Sequence, residues 1–201
     1  MVIRNKAVSQ KISHRLMVSL LATSLIASAG CGGISKKNWK TIGAVIAVGV
    51  AAKLIYDMVV DYQSKQINDE SVVVNRYKKT HGGLPNEAIL LNYQSSIEPG
   101  DVVSAGKSVS IKSKLEVVRS ESSRHVSIQE KIVIFDNEDN SKELKSLIKT
   151  VNEKSNTSGE FENEFTFKLP KGMPQGLYPV QTTVIVNGVA QQPVNNTMQL
   201  I

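Results

Sequence analysis

One cysteine, one tryptophan and three histidines are all that this 201-residue chain holds of the residues that most often carry covalent or metal chemistry. With Cys31 alone, no intramolecular disulfide can form, so a packed core must hold the fold. His14, His81 and His125 stand apart from one another, without a second cysteine or an H-x-x-H spacing, which excludes the usual zinc sites. The G-x-S-x-G elbow and the phosphate-cradling glycine loop are both missing, which removes the best-marked hydrolase and nucleotide classes. Aromatic residues make up only 5% of the chain, a poor supply for stacking sugars or bases.

Positive charge is present but unevenly placed. Of the net +6, four charges (Arg4, Lys6, Lys11 and Arg15) lie in residues 1–30, which carry no acid, so the remainder stands at +2. Residues 31–65 hold five Lys against two Asp, and residues 66–201 hold fifteen basic against sixteen acidic residues. Nucleic-acid binding needs a basic stripe on a folded domain, and this distribution supplies none. Lys36, Lys37 and Lys40 read either as a solubilising linker or as contacts to anionic lipid, at about 1 kcal/mol per charge near a membrane surface.

The amino terminus is richer in signal. A basic front, the apolar run 16–26 and the small residues Ala27, Ser28, Ala29 and Gly30 lead into Cys31 and Gly32, the order of an export signal. The run is shorter than the ~20 apolar residues that a bilayer-crossing helix needs. Ser28-Ala29-Gly30-Cys31 resembles the lipobox of bacterial lipoprotein precursors, with Ser28 where leucine is usual. The resemblance implies a diacylglyceryl group on the Cys31 sulfur, cleavage before Cys31 and an acyl chain (palmitate-type) on the new amino terminus; no other cofactor is expected. Because Gly32 and not aspartate follows the cysteine, it implies the outer membrane, facing the periplasm, with the inner membrane as the alternative. Ala27-Ser28-Ala29 also has the form of ordinary signal cleavage, which would leave Cys31 a free thiol.

Residues 42–52 are uninterrupted apolar residues or glycine, followed by Lys53, Leu54-Ile55-Tyr56, Asp57 and Met58-Val59-Val60. Three readings stay open. As a bilayer span, 42–60 would bury Lys53 and Asp57 at about 3 kcal/mol each, softened if the two pair at i, i+4. As a helix packed on protein or on itself, Gly43, Ala47 and Ala51 form a small-residue seam. As a spacer, the pattern continues to about residue 65. The expectation is a helix over 38–66 that contacts a partner helix or the membrane surface, after a short linker at 31–37.

Residues 67–84 read as a linker ending at His81-Gly82-Gly83-Leu84-Pro85, whose 66–80 stretch either prolongs the helix or forms a short strand, and residues 85–201 read as a folded module. The module is mainly β. A first strand spans 87–95. Val109, Ile111, Leu115 and Val117 share a parity that Ser113 interrupts; Val126, Ile128, Ile132 and Ile134 share another. Phe161, Phe165, Phe167 and Leu169 alternate with Glu160, Glu162, Glu164, Thr166 and Lys168, which face water in this reading. Tyr178, Val180, Val184 and Val186 lead to a tight Asn187-Gly188 turn and a last strand over 189–201, with Pro193 marking an edge or bend. Leu144, Leu147, Ile148 and Val151 have helical spacing, so 141–153 is either a short helix or a bulged strand.

Seven or so short strands with regular turns predict a β-sandwich preceded by an N-terminal helical segment. Leu169-Pro170, then Pro174-Gln175-Gly176-Leu177-Tyr178 and the valine-rich run to Asn187-Gly188, resemble the entry to strand F of immunoglobulin-like and fibronectin type III modules. The resemblance implies that Tyr178 is a tyrosine-corner residue bonded to nearby backbone.

Candidates for chemistry are few. Ser122 and Ser123 with His125, and the acids Asp136, Glu138 and Asp139, read more simply as solvated turns than as a nucleophile pair or a calcium loop. The expectation is a non-enzymatic envelope lipoprotein whose module binds another envelope or secretion protein, through end loops or at an open edge such as 194–201. The alternative is a glycan or cell-wall-polymer accessory, which a solvent-facing Tyr93 and Tyr77 would favour.

Overall fold

The structure, a computed structural model, describes residues 52–201. The signal, Cys31, the linker 31–37 and the seam Gly43, Ala47 and Ala51 lie outside the described residues.

Ten strands and one helix follow a helical turn at 52–56. They are β1 (Val60–Asn68), α1 (Glu70–His81), β2 (Ile89–Glu98), β3 (Val102–Val103), β4 (Ser108–Val118), β5 (Ile128–Phe135), β6 (Glu143–Thr150), β7 (Gly159–Lys168), β8 (Gly176–Val186), β9 (Val189–Ala190) and β10 (Val194–Leu200). One sheet has the order β1-β7-β4-β2 and is antiparallel throughout. The other has the order β3-β10-β8-β5-β6, with β9 extending the hairpin from β8 and β3 parallel to β10. The two pack face to face as an immunoglobulin-like β-sandwich, and the expected fold class is what is found.

The expected inward faces hold. Ile111 and Leu115 from β4, Phe161 and Phe165 from β7, Ile128 from β5 and Val184 from β8 are all buried between the sheets. At the β8–β9 turn Asn187 and Gly188 have φ of 49° and 83°, the two left-handed positions of a type I′ hairpin.

The residues before 85 fold differently from the expectation. The helix expected over 38–66 does not extend through 60–68, which form β1. That strand zips onto β7 from Val60↔Phe167 to Asn68↔Glu160, and its Tyr62 ring packs 4.7 Å from the Phe165 ring. A bilayer span over 42–60 is overturned in its second half for the same reason: Ile55, 1% exposed, and Met58 sit in the sandwich core with Leu144, Phe165 and Phe167. Among the described residues no helix is long and apolar enough to cross a membrane.

Within the expected linker 67–84, of the two readings left for 66–80 the helix is the one observed over Glu70–His81, as α1, separated by β1 from the residues before it. Asp69 caps its start by accepting from the Val72 amide at 3.0 Å, and Gly82, at φ 79°, ends it by donating to the Lys78 carbonyl at 2.8 Å. Val73 and Val74 seat the helix on Val118 at the end of β4. Arg76 reaches Glu116 at 3.2 Å and Glu160 at 3.5 Å, and Arg119 reaches Glu70 at 3.1 Å. The folded unit therefore includes residues well before 85.

Of the two readings of 141–153, the strand is the one observed. β6 pairs with β5 with a register shift that leaves Leu144 without a partner, between Lys145, opposite Ile134, and Glu143, opposite Phe135. The extra residue lets Leu144 and Leu147, three apart, both reach the core, which mimics helical spacing.

Candidate functional site

Three polar residues interrupt three apolar inward faces, and the fold brings them together. Strand register places Ser64, Asn163, Ser113 and Ser95 in one row across β1, β7, β4 and β2. Opposite them, from β5, stands Glu130, which is 0% exposed. Its Oε2 accepts from Ser113 Oγ at 3.0 Å and Asn163 Nδ2 at 2.8 Å, and its Oε1 accepts from Tyr93 Oη at 2.7 Å. This belt divides the interior into two apolar clusters, one around Phe165, Phe167 and Tyr178 and one around Phe161, Leu115 and Val184.

Burial drives the Glu130 carboxyl above its ordinary range, against the three hydrogen bonds, which favour its charged form. Burial and then the nearby Glu130 charge hold the Tyr62 and Tyr93 hydroxyls well above theirs. Tyr62 Oη, Ser95 Oγ and Asn163 Oδ1 are buried without a protein partner. The belt is thus a buried polar seam in which Ser113, Asn163 and Tyr93 all donate to Glu130.

The two lateral sides of the sandwich differ. On the β2–β10 side, Asn196 Nδ2 donates to the Ser95 carbonyl at 3.4 Å and closes the gap. On the β1–β6 side, Ile55 and Met58 plug one half. The other half is a cleft of about 460 Å³ between β1 (Tyr62, Ser64 and Gln66) and the segment 150–155, with Phe161 also in its lining. Ser64 Oγ bridges its inner end by donating to the Val151 carbonyl at 2.8 Å. Asn152 holds the segment in place: its Oδ1 accepts from the Ile128 amide at 3.1 Å, and its Nδ2 donates to the Val126 and Thr157 carbonyls at 2.7 and 2.9 Å.

The residues singled out from the sequence fare differently. Lys53 and Asp57 are both exposed and share a helical backbone bond, Asp57 N to Lys53 O at 3.0 Å, but no ion pair joins them among the described residues. Tyr178 is buried and its hydroxyl donates to the Pro174 carbonyl four residues earlier at 2.8 Å, with its pKa pushed up to about 12 by burial. Glu160 does not face water as expected. It is 7% exposed and ion-paired to Lys114 at 2.9 Å, whose hydrogen bond holds its carboxyl below the usual range. Asp136 is buried and accepts from the Glu138 and Asp139 amides at 2.8 and 3.4 Å, which makes it a turn-former. Ser123 Oγ bonds the backbone of His125, at 3.1 Å to both its nitrogen and its oxygen, and not the ring. Tyr93 points inward to Glu130, and Tyr77 stacks on His81 at 4.0 Å, so the two make no exposed aromatic pair.

Glu130, Ser113 and Asn163 were not singled out as a site from the sequence. The signal lay in parity: each occupies an inward position of its own strand.

No protein-family model matches the sequence, and no curated protein matches it either. Among solved structures, the chain is similar to the CARDB domain of a Pyrococcus furiosus protein, at 15% identity and a TM-score of 0.37, over 58% of this chain and 97% of that one. It is also similar to the Pseudomonas fluorescens alkylpurine DNA glycosylase AlkC, at 15% identity and a TM-score of 0.35, over 84% of this chain and 41% of that one. A third likeness is to the sporulation control protein Spo0M of Bacillus subtilis, at 15% identity and a TM-score of 0.26, over 57% of this chain and 49% of that one.

Proposed function

We propose that this chain is a non-enzymatic, lipid-anchored protein of a bacterial envelope, whose immunoglobulin-like module binds another protein of an envelope or secretion assembly. The observation that carries the reading is the seating of Ile55 and Met58 in the module core. The apolar run 42–52 follows the lipobox-like Cys31 after a short linker, and only Lys53 and Leu54 separate it from Ile55. A lipid on Cys31 would hold a module whose buried carboxylate, Glu130, is engaged by three donors of its own fold and which offers a partner its surfaces and strand edges. Two or three acyl chains give stable anchoring where one does not, at roughly 0.8 kcal/mol per buried methylene. The outer membrane, facing the periplasm, is the proposed address. The run 42–51 supplies a second contact, to the membrane, a partner helix or a second copy.

Metabolic labelling with palmitate, in wild type and in Cys31→Ser, tests the anchor. Label in the wild type, with its loss and release of the protein to the soluble fraction in Cys31→Ser, is expected. A wild-type chain that sediments with membranes without label would move the anchor to the run that follows.

A further inference from the structure

We propose that Asn187 is a covalent modification site: the Gly188 nitrogen displaces its side-chain amide, and water then leaves aspartate or isoaspartate at the tip of the β8–β9 hairpin. The inference stands on the geometry of that turn and does not depend on the anchor or on a partner.

Such a displacement needs a backbone nitrogen free to attack, an open approach, a polarised side-chain carbonyl and a leaving group that nothing holds. The turn supplies each. Strand pairing stops at Val186↔Val189, and among the described residues the Gly188 N–H makes no hydrogen bond. Gly188 has no Cβ, and the position where one would stand has nothing within 4 Å of it. Asn187 Oδ1 accepts from the Ser127 amide at 2.9 Å. That bond draws charge from Cγ and meets the negative charge that gathers on the oxygen during attack, as backbone donors do in an oxyanion site. The Asn187 amide donates to the Ser127 carbonyl, also at 2.9 Å, which fixes the residue beside its donor. Its Nδ2 makes no hydrogen bond among the described residues, and both turn residues are exposed to water.

The other asparagines of 52–201 lack this combination. Each is followed by a residue whose side chain crowds the approach to Cγ. Asn152 is buried with Oδ1 and Nδ2 both bonded, and Asn68 and Asn163 donate from Nδ2 to Glu160 and Glu130. At Asn187 the Gly188 nitrogen gives its proton to solvent base as its bond to Cγ forms. The Cγ–Nδ2 bond breaks, and Nδ2 takes a proton from water and leaves as ammonia. Water then opens the cyclic imide at either carbonyl. Cleavage of the new bond gives aspartate; cleavage of the original peptide bond gives isoaspartate. No oxidant or reductant is involved. Aspartate puts a negative charge in the groove that Glu87 also lines. Isoaspartate routes the main chain through Cβ and Cγ, which lengthens a two-residue loop and breaks the Val186↔Val189 pairing.

Peptide mapping by mass spectrometry tests this on the purified full chain, incubated folded in mildly alkaline buffer and in parallel in urea. In the folded chain, the peptide that holds Asn187 should gain one mass unit before any other asparagine peptide of 52–201. It should split into two products, of which one is a substrate for an isoaspartyl methyltransferase. Gly188→Asn, a residue that tolerates the left-handed turn position at φ 83°, should slow the gain by crowding the attacking nitrogen. An Asn187 peptide that stays unchanged in the folded chain, whether or not it converts in urea, would overturn the proposal. Earlier conversion at another asparagine of 52–201, or an equal rate in Gly188→Asn, would overturn it too.

Discussion

Ser113 of β4 and Asn163 of β7 stand directly opposite each other in the sheet and donate to the same oxygen, Oε2 of Glu130, at 3.0 and 2.8 Å. The carboxylate comes from the other sheet, so the contact crosses the sandwich. Breaking a buried hydrogen-bonded network by removing one member costs more than the mean hydrogen bond, because partners are left unsatisfied. Glu130→Ala should destabilise the module by about 2–4 kcal/mol, because it strands Tyr93 Oη, Ser113 Oγ and Asn163 Nδ2 and leaves a cavity. Urea unfolding of the variant beside the wild type measures it.

The same residue sets a pH dependence. Its folded pKa is raised above the ordinary 4.5, so the folded state holds the proton more tightly than the unfolded chain does. Its contribution is greatest below pH 4.5 and declines as pH rises from there through the folded pKa. Glu160 acts in the opposite sense: its folded pKa is lowered, so its contribution is present above the same ordinary value and is lost as pH falls. Glu130→Gln should flatten the decline on the alkaline side and leave the acid limb intact. Stability measured between pH 4 and pH 8 checks this.

β1 approaches β7 at a place where only glycine fits. A Cβ on Gly159 would lie 2.5 Å from Gln66 Nε2 and 2.8 Å from the Asn68 carbonyl. Gly159→Ala should therefore cost about 1–3 kcal/mol, in the range of overpacked core sites. The loss should appear first as faster amide exchange in β1, with the β4–β7 ladder retained.

The position of β1 also fixes where the module begins. A fragment of residues 52–201 should unfold in one cooperative transition. A fragment of 85–201, the boundary suggested by the His81–Pro85 break, lacks β1 and leaves Phe165 without Tyr62. It should bind a hydrophobic dye and aggregate. Thermal scans with dye fluorescence distinguish the two.

Tyr178→Phe removes one hydroxyl and one bond, to the Pro174 carbonyl, and keeps the buried ring. A loss of about 1 kcal/mol is expected, read from the denaturant midpoint at unchanged slope.

The sandwich was legible where strands pack one face on apolar neighbours. Phe161, Phe165 and Phe167 alternate with polar residues because β7 lies between two strands with one face inward. β1 was not legible, because its inward positions after Val60 are Tyr62 and Ser64, both polar-tipped, and its strand form comes from β7, about a hundred residues away in the chain. In α1 the run Val72-Val73-Val74 favours a strand locally, and the caps Asp69 and Gly82, with burial of two of the three valines, override it. The belt was hidden because polar residues on an inward parity look like breaks in a pattern. Only the register shows that the breaks coincide.

The central claim is that a lipid on Cys31 carries this module. Intact mass spectrometry of the mature protein, purified from its native host, tests that claim most directly. The account predicts a chain that begins at Cys31, with the added mass of a diacylglyceryl group and an amino-terminal acyl chain. A chain that begins at another residue, with Cys31 absent or its sulfur unmodified, would contradict it.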